Sequence, residues 1–300
     1  MPFRTVARPP VGQVAYAPTS LPASRGGSGS YSPLTDPYVS MFLQPDVGVY
    51  RARTGASADD PPVMRTQPVG TWGDAALRGF GTAELNDYRP SWHPFGINCT
   101  AGILFNGVDQ RLRFAADFAA LFRSRSHAYV FLNVRVTAEA AAGTALYWST
   151  NSTSQARLGV VFNSGSSIGR INLSARRNDG DTATSRSVDG AFVDGEVLTL
   201  AIELDYLGDK VNVWKNETQI IDSVFSSSTP GPSSDTNSGS AWIGANHAGT
   251  AYYDGLLGHV LVCTPTRKFS AAEIMERQRW MMRQVAFEQV EPPAALGFSP

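Results

Sequence analysis

Cysteine is almost missing from this chain. Two in 300 residues, Cys99 and Cys263, exclude a disulfide-stapled scaffold and a cysteine-based metal cluster. Charge is scarce as well: Asp, Glu, Lys and Arg make up 17% of the residues and nearly cancel, leaving −1. That balance supplies no electrostatic footprint for nucleic acid or an anionic membrane. It also leaves too few charges to coat long surface helices. No apolar run approaches the ~20 residues that a membrane span requires. The opening MPFRTVARPPVGQVAYAPTS holds no continuous apolar core, so no secretory signal peptide is expected. The four histidines, His93, His127, His247 and His259, show neither H-x-H nor H-E-x-x-H spacing, and no zinc site is expected. Phosphate-cradling glycine loops and the nucleophile elbow are absent too. What the chain does have is 42% hydrophobic residues, 28 Gly and 19 Pro, enough for a large core built from strands and turns.

Residues 1–35 form a compositional zone of their own. Pro2, Pro9, Pro10, Pro18, Pro22 and Pro33 are interleaved with GGSGS at 26–30, and Arg4, Arg8 and Arg25 are its only charges. Proline removes ladder donors and glycine adds backbone entropy, so this stretch cannot fold alone. It is either a loose tail or an extended arm ordered against neighbouring subunits. The arm is the working expectation.

From residue 36 to about 100 the pattern is irregular; strands then follow one another. HAYVFLNVRVT (127–137) alternates Ala128, Val130, Leu132, Val134 and Val136 with Tyr129, Phe131, Asn133 and Arg135. IGRINLSAR (168–176), TALYWS (144–149), RLGVVFN (157–163), SAWIGA (240–245) and LLGHVLVC (256–263) read as further strands. The clearest hairpin joins 197–206 to 211–219 through Leu207-Gly208-Asp209-Lys210. Closing it at Tyr206 and Val211 predicts Leu204 opposite Val213, Asp205 opposite Asn212 and Glu203 opposite Trp214. The period then changes. Ser270 and Glu273 form a capping box, and Ile274, Gln278, Met281 and Val285 line one face of a helix that could dock on the sheet.

Many antiparallel strands followed by one helix read as an all-β sandwich: a Pro/Gly arm over 1–35, a sandwich over 36–265, and a helix with tail over 266–300. The run Phe105-Asn106-Gly107-Val108-Asp109, the central hairpin, the Ile243-Gly244 strand and Asp254-Gly255…Gly258-His259-Val260 resemble the laminin-G-like, concanavalin A-like lectin and glucanase family. Trp72-Gly73-Asp74 resembles the Trp-x-Asp element that precedes its opening strand. The resemblance covers about residues 36–290 and implies a jelly roll of two antiparallel sheets. Modules of this kind occur in bacteriophage decoration, fibre and tail proteins. The resemblance therefore implies a structural virion protein, held to other virion proteins by its arm, homo-oligomeric, and displaying a sandwich that binds host-surface glycans.

Enzymes of that family carry Glu-x-Asp-x-(x)-Glu on one strand. Here Glu203-Leu204-Asp205-Tyr206-Leu207-Gly208 lacks the third acid, so two solvated carboxylates are expected rather than a catalytic set. A polysaccharide-degrading enzyme is the rival reading, and a secreted adhesion module the third. Two groups could hold a glycan. Trp214 with Asn212, Glu203 and Asp205 is either a stacking platform or a patch covered by the arm or the helix. The loop with Asn246, His247, Tyr252 and Tyr253 offers amide, imidazole and aromatic groups, or caps the core. Asn178-Asp179-Gly180-Asp181 is a turn with a weak potential for calcium; no other cofactor is implied. If the opening and final strands pair antiparallel, Cys99 and Cys263 approach one another, as a disulfide or as separate buried thiols.

Overall fold

A computed structural model describes residues 31–47, 49–50, 67–75, 80–83, 88–98, 100–114, 121–137, 141–149, 156–178, 180–225, 230–234 and 241–285. All of them fall in the unit Tyr31–Pro300. Residues 1–30, and with them most of the expected arm, lie outside the described residues, as does the tail beyond Val285. Residues 31–35, counted with the arm on composition, lie in the sandwich unit.

The strands, in chain order, are β1 (Val39–Leu43), β2 (Val49–Tyr50), β3 (Thr71–Gly73), β4 (Phe80–Thr82), β5 (Ser91–Ile97), β6 (Thr100–Asn106), β7 (Leu112–Phe114), β8 (His127–Val136) and β9 (Gly143–Ser149). They continue as β10 (Ala156–Phe162), β11 (Ile171–Ala175), β12 (Thr184–Val188), β13 (Val197–Asp205), β14 (Lys210–Lys215), β15 (Thr218–Ser223), β16 (Ala241–Ile243) and β17 (Asp254–Cys263). One helix, α1 (Ala271–Val285), follows. The first sheet runs β15-β14-β13-β8-β17-β6-β5, with β1 also on β17. The second runs β12-β11-β10-β9-β16-β7-β4-β3-β2. Every named strand pairing is antiparallel, so the chain is an all-β jelly-roll sandwich closed by one helix.

Alternation decides which residues enter the core. Val130, Leu132 and Val134 on β8 and Leu198, Leu200, Ile202 and Leu204 on β13 face the second sheet, where they meet Leu146, Trp148, Leu158, Val160 and Phe162. Their alternate neighbours Tyr129, Phe131 and Ala201 point the other way. There they form a second apolar cluster with Leu261, Cys263, Phe269, Ile274, Trp280 and Met281. The helix therefore covers the outer face of the first sheet. Its predicted stripe holds, with Ile274, Gln278, Met281 and Val285 all buried. The capping box also forms: Ser270 Oγ accepts the Glu273 N–H at 3.3 Å while Glu273 Oε2 accepts the Ser270 N–H at 2.9 Å.

Three expectations are corrected. The irregular zone contains strands after all, β1 to β5, most of them too short for period two to register. The hairpin closes one residue earlier than expected, with a loop of the same length: Leu204 faces Val211, Glu203 faces Asn212 and Asp205 faces Lys210. The turn explains this. Asp205 Oδ1 accepts the Gly208 N–H at 2.8 Å, and Asp209 takes a left-handed φ of 54°, so the chain reverses before Tyr206 can pair. The slip is two residues, which leaves each side chain on its expected face. Third, 211–219 is two strands, divided at Asn216 and Glu217, whose φ values of 46° and 69° are those of a primed hairpin turn.

Candidate functional site

The first predicted group lies on the outer face of β13 and β14, under the chain that leads into α1. Glu203 and Asp205 are each only 2% exposed, so the expectation of solvated carboxylates is wrong. Segment Lys268–Ser270 and the helix cover the face on which alternation puts them. Tyr129 donates its hydroxyl to Glu203 Oε1 at 3.0 Å, and Asn212 donates to Oε2 at 2.6 Å. Asp205 accepts from Lys268 Nζ at 2.8 Å, and His127 Nδ1 stands 3.0 Å from its other oxygen without hydrogen-bond geometry. Burial pushes the Asp205 carboxyl upward, but the Lys268 hydrogen bond, the Gly208 N–H and the Lys268 and His127 charges together hold it below the usual carboxylate range. The Phe269 N–H closes the set by donating to the Tyr129 hydroxyl at 3.0 Å. Each member is engaged by another. The cluster is a polar latch that holds the helix approach on the sheet; its carboxylates are buried, and the half-exposed Lys268 is where it meets solvent.

Trp214 shares that fate. It is half-buried against the helix-side cluster, and its carbonyl accepts Gln278 Nε2 at 3.3 Å. Of the alternatives for this tryptophan, cover by the helix is the one realised. Trp214, Asn212, Glu203 and Asp205 do come together, the last three buried and Trp214 partly covered.

The second predicted group divides. Tyr253 is fully buried and donates to the Arg135 and Leu256 carbonyls at 3.2 and 3.3 Å; it is a core residue. Asn246 spends its amide on its own turn, accepting the Thr250 N–H and donating to Thr250 Oγ1, both at 3.0 Å. Tyr252 is half-buried, its backbone bridged to Thr144. His247 is different: its ring stacks on Tyr147 at 5.4 Å and 24°.

That stack leads to residues that sequence reasoning missed. Tyr147 and Trp242 are direct cross-strand partners on β9 and β16, and form an apolar pair separate from the core. Trp242 in turn faces Arg113 on β7. Arg111 lies 5.0 Å from the Trp242 ring centre and 5.1 Å from that of Tyr88, with Arg113 at 5.2 Å from Trp242. Following the register outward gives Gly159 opposite Tyr147, then Ser174, then Ser185; on the other side Thr82 faces Arg113. One lateral row thus reads Ser185, Ser174, Gly159, Tyr147, Trp242, Arg113, Thr82 on the outer face of the second sheet. At about 4.8 Å between strands, Ser185 to Arg113 spans about 24 Å. The signal was available: Tyr147 sits between inward Leu146 and Trp148, and Trp242 between Ala241 and Ile243, so alternation alone turns both rings outward.

The remaining candidates carry less. Asp181 Oδ2 accepts the Asn178 N–H at 3.1 Å, which is turn chemistry, and Asp179 lies outside the described residues. Among the described residues no group of three His, Cys, Asp or Glu could hold a metal. Strands β6 and β17 do pair antiparallel, from Asn106 with Asp254 to Ile103 with Leu257. Farther along β17, however, β1 replaces β6, and Cys263 stands between Tyr129 and Val39. Its thiol is free and buried; Cys99, the expected partner, is outside the described residues.

No protein-family model matches the chain, and no curated protein matches it. Solved structures do. A sialidase from Trypanosoma rangeli is 11% identical over 88% of this chain and 35% of its own, with a TM-score of 0.51. The CBM40 module of the Ruminococcus gnavus IT-sialidase is 15% identical over 59% of this chain and 96% of its own, with a TM-score of 0.44. Domain 4 of the Geobacillus stearothermophilus arabinanase AbnA is 13% identical over 62% and 80%, with a TM-score of 0.42. At these identities the likeness is one of fold.

Proposed function

We propose that this chain is a non-catalytic, lectin-like sandwich that binds a glycan across the outer face of its second sheet. The observation that carries the reading is the row through Tyr147, Trp242 and Arg113. The two rings at its centre are themselves only 6% and 5% exposed, and the guanidinium planes of Arg111 and Arg113 and the imidazole of His247 are what lie beside them. Such planes donate hydrogen bonds to sugar hydroxyls and carboxylates, and the flanking Ser174, Ser185 and Thr82 add hydroxyl partners. The length suits several sugar units lying across the strands rather than one in a cleft.

The absence of catalysis is part of the proposal. The buried, mutually engaged state of Glu203 and Asp205 supports it, because a glycosidase needs its acid pair facing the scissile bond. A glycan array on the full chain tests binding. Arg113→Ala and Tyr147→Ala are expected to weaken the best ligand at least tenfold, with Trp214→Ala unchanged. Equal binding by all three variants, or no ligand, overturns the assignment. Release of reducing sugar from bacterial polysaccharide, abolished by Glu203→Gln, would restore the enzyme reading.

The finer proposal is that the sandwich is displayed on a virion and held there by the Pro/Gly segment at its start. Composition and the family resemblance support this. Deleting residues 1–30 is expected to leave a folded sandwich that no longer incorporates into particles; normal incorporation removes the anchoring role.

A further inference from the structure

Charge is not spread evenly over the two sheets. The chain as a whole holds 26 acidic and 25 basic residues. Among the described residues, the strands of the second sheet (β2 to β4, β7, β9 to β12 and β16) carry no Asp or Glu, and their charged residues are Arg113, Arg157 and Arg186. The strands of the first sheet mix signs, with Glu203, Asp205, Asp222 and Asp254 beside Arg135, Lys210 and Lys215. A nearly neutral protein thus sets one sheet apart as cationic, and a ligand at that sheet meets the local field rather than the net charge.

Alternation sorts the charges by face. Leu112 and Phe114 enter the core, so Arg111 and Arg113 stand on the outer face. Ile171, Leu173 and Ala175 enter it from β11, which turns Arg176 outward too. Arg113 is exposed and Arg111 half-buried. Arg176 is only 3% exposed. Its charge reaches the Tyr147 hydroxyl, drawing down a phenol that burial raises, so it adds to the field of this face rather than to its contacts. Asp109, the acid nearest to Arg111 in the chain, accepts the Asn106 amide at 2.8 Å.

The buried rings set the posture of the exposed cations. Trp242 and Tyr147 leave little ring surface for a sugar to stack on. Instead the Arg111 and Arg113 guanidinium groups lie against Trp242, at 5.0 and 5.2 Å from its ring centre. A guanidinium held this way surrenders less side-chain freedom on binding and presents its N–H fork ready-made. Such a fork engages two oxygens of one anionic group at once, with charge on both sides of the hydrogen bonds. Thr82, half-buried and directly opposite Arg113, places a hydroxyl beside it.

We propose that the glycan is an acidic one, held by a carboxylate or sulfate substituent on the Arg113 fork with Arg111 beside it. This rests on the glycan reading above and narrows it to a substrate class.

A glycan array that sets acidic members beside their carboxyl-reduced or desulfated counterparts tests the class. The tightest ligands are expected to be acidic, to lose at least tenfold when the acid group is removed, and to weaken as NaCl rises from about 0.1 to about 1 M. Titration of the best pair against Arg113→Gln locates the charge. The acidic ligand is expected to lose at least tenfold, its neutral counterpart to bind parent and variant alike, and Arg113→Lys to recover part of the loss. Whether carboxyl reduction or desulfation removes the preference identifies the substituent. A neutral best ligand that still requires Arg113 and Tyr147 overturns the acidic class and leaves the glycan reading standing. Absence of any ligand overturns both. An acidic ligand whose preference over its neutral counterpart survives in Arg113→Gln overturns the place given to the charge.

Discussion

Asp36 and Arg277, 241 positions apart, form a buried two-point ion pair in which Oδ2 takes Nε at 3.1 Å and Nη2 at 2.6 Å. Their side chains are 5% and 6% exposed. The pair ties the segment before β1 to the middle of α1. The Arg277 guanidinium also lies 4.0 Å from the Phe269 ring centre and 4.9 Å from that of Tyr31. Removing one partner strands the other charge in a dry place, at about 3–5 kcal/mol. Asp36→Ala and Arg277→Ala are each expected to lower the urea midpoint by a corresponding amount. Asp36→Ala with Arg277→Ala is expected to lose clearly less than the two single losses added. Strict additivity in the double-mutant cycle would show that the pair is not coupled.

The same corner holds Cys263. Burial pushes its thiol up to about 12, partly offset by Arg277, and the helix seals it from solvent. In a Cys99→Ser background, the folded chain is expected to resist a thiol reagent at pH 8 and to react fully in denaturant. Met281→Ala opens the helix side of this cluster and should speed the labelling at least tenfold. Rapid labelling of the unsubstituted folded chain would mean that α1 does not stay docked.

Gly244 shows how a loop residue can be fixed by the core behind it. Its φ is 86°, and a Cβ there would overlap the Phe105 ring. Its carbonyl accepts the Tyr253 N–H at 2.8 Å and its N–H donates to the Ala145 carbonyl at 3.0 Å, so the backbone cannot move aside cheaply. Gly244→Ala is expected to destabilise by about 2–4 kcal/mol, combining left-handed strain with overpacking. A thermal midpoint within a degree of the parent would contradict this.

The strands that alternate cleanly, β8 and β13, were legible because each has one face against the other sheet. The stripe of α1 was legible for the same reason at its own period. The latch was not. Glu203 and Asp205 look like surface residues on a hairpin, and only the return of Lys268 and Phe269 from 63 positions downstream or more makes that face an interior. Alternation gives the side of a sheet, and the later chain decides whether that side is wet. Tyr147 and Trp242 escaped notice for the opposite reason: alternation turns each ring outward, but an outward ring is recognised as part of a row only when the register across several strands is known. The slip in the central hairpin had a local cause, an aspartate capping its own turn, that patterning does not weigh.

His259 offers a test of the helix side through pH. It is buried between Phe42, stacked at 6.0 Å, and Trp280, edge-on at 6.1 Å. Burial holds its pKa down to about 4, against ~6.5 in an unfolded chain. The unfolded state therefore binds the proton first. Stability is unaffected above about pH 6.5 and falls as the pH drops from there toward 4, by up to about 3 kcal/mol for a shift of this size. Asp205 acts in a separate window: its folded pKa is depressed, so its contribution is present above ~3.9 and disappears only below that. Urea unfolding at pH 7, 5.5 and 4 is expected to show falling stability in the parent and a much flatter series in His259→Leu. Parallel pH curves for the two proteins would place the acid sensitivity in another residue.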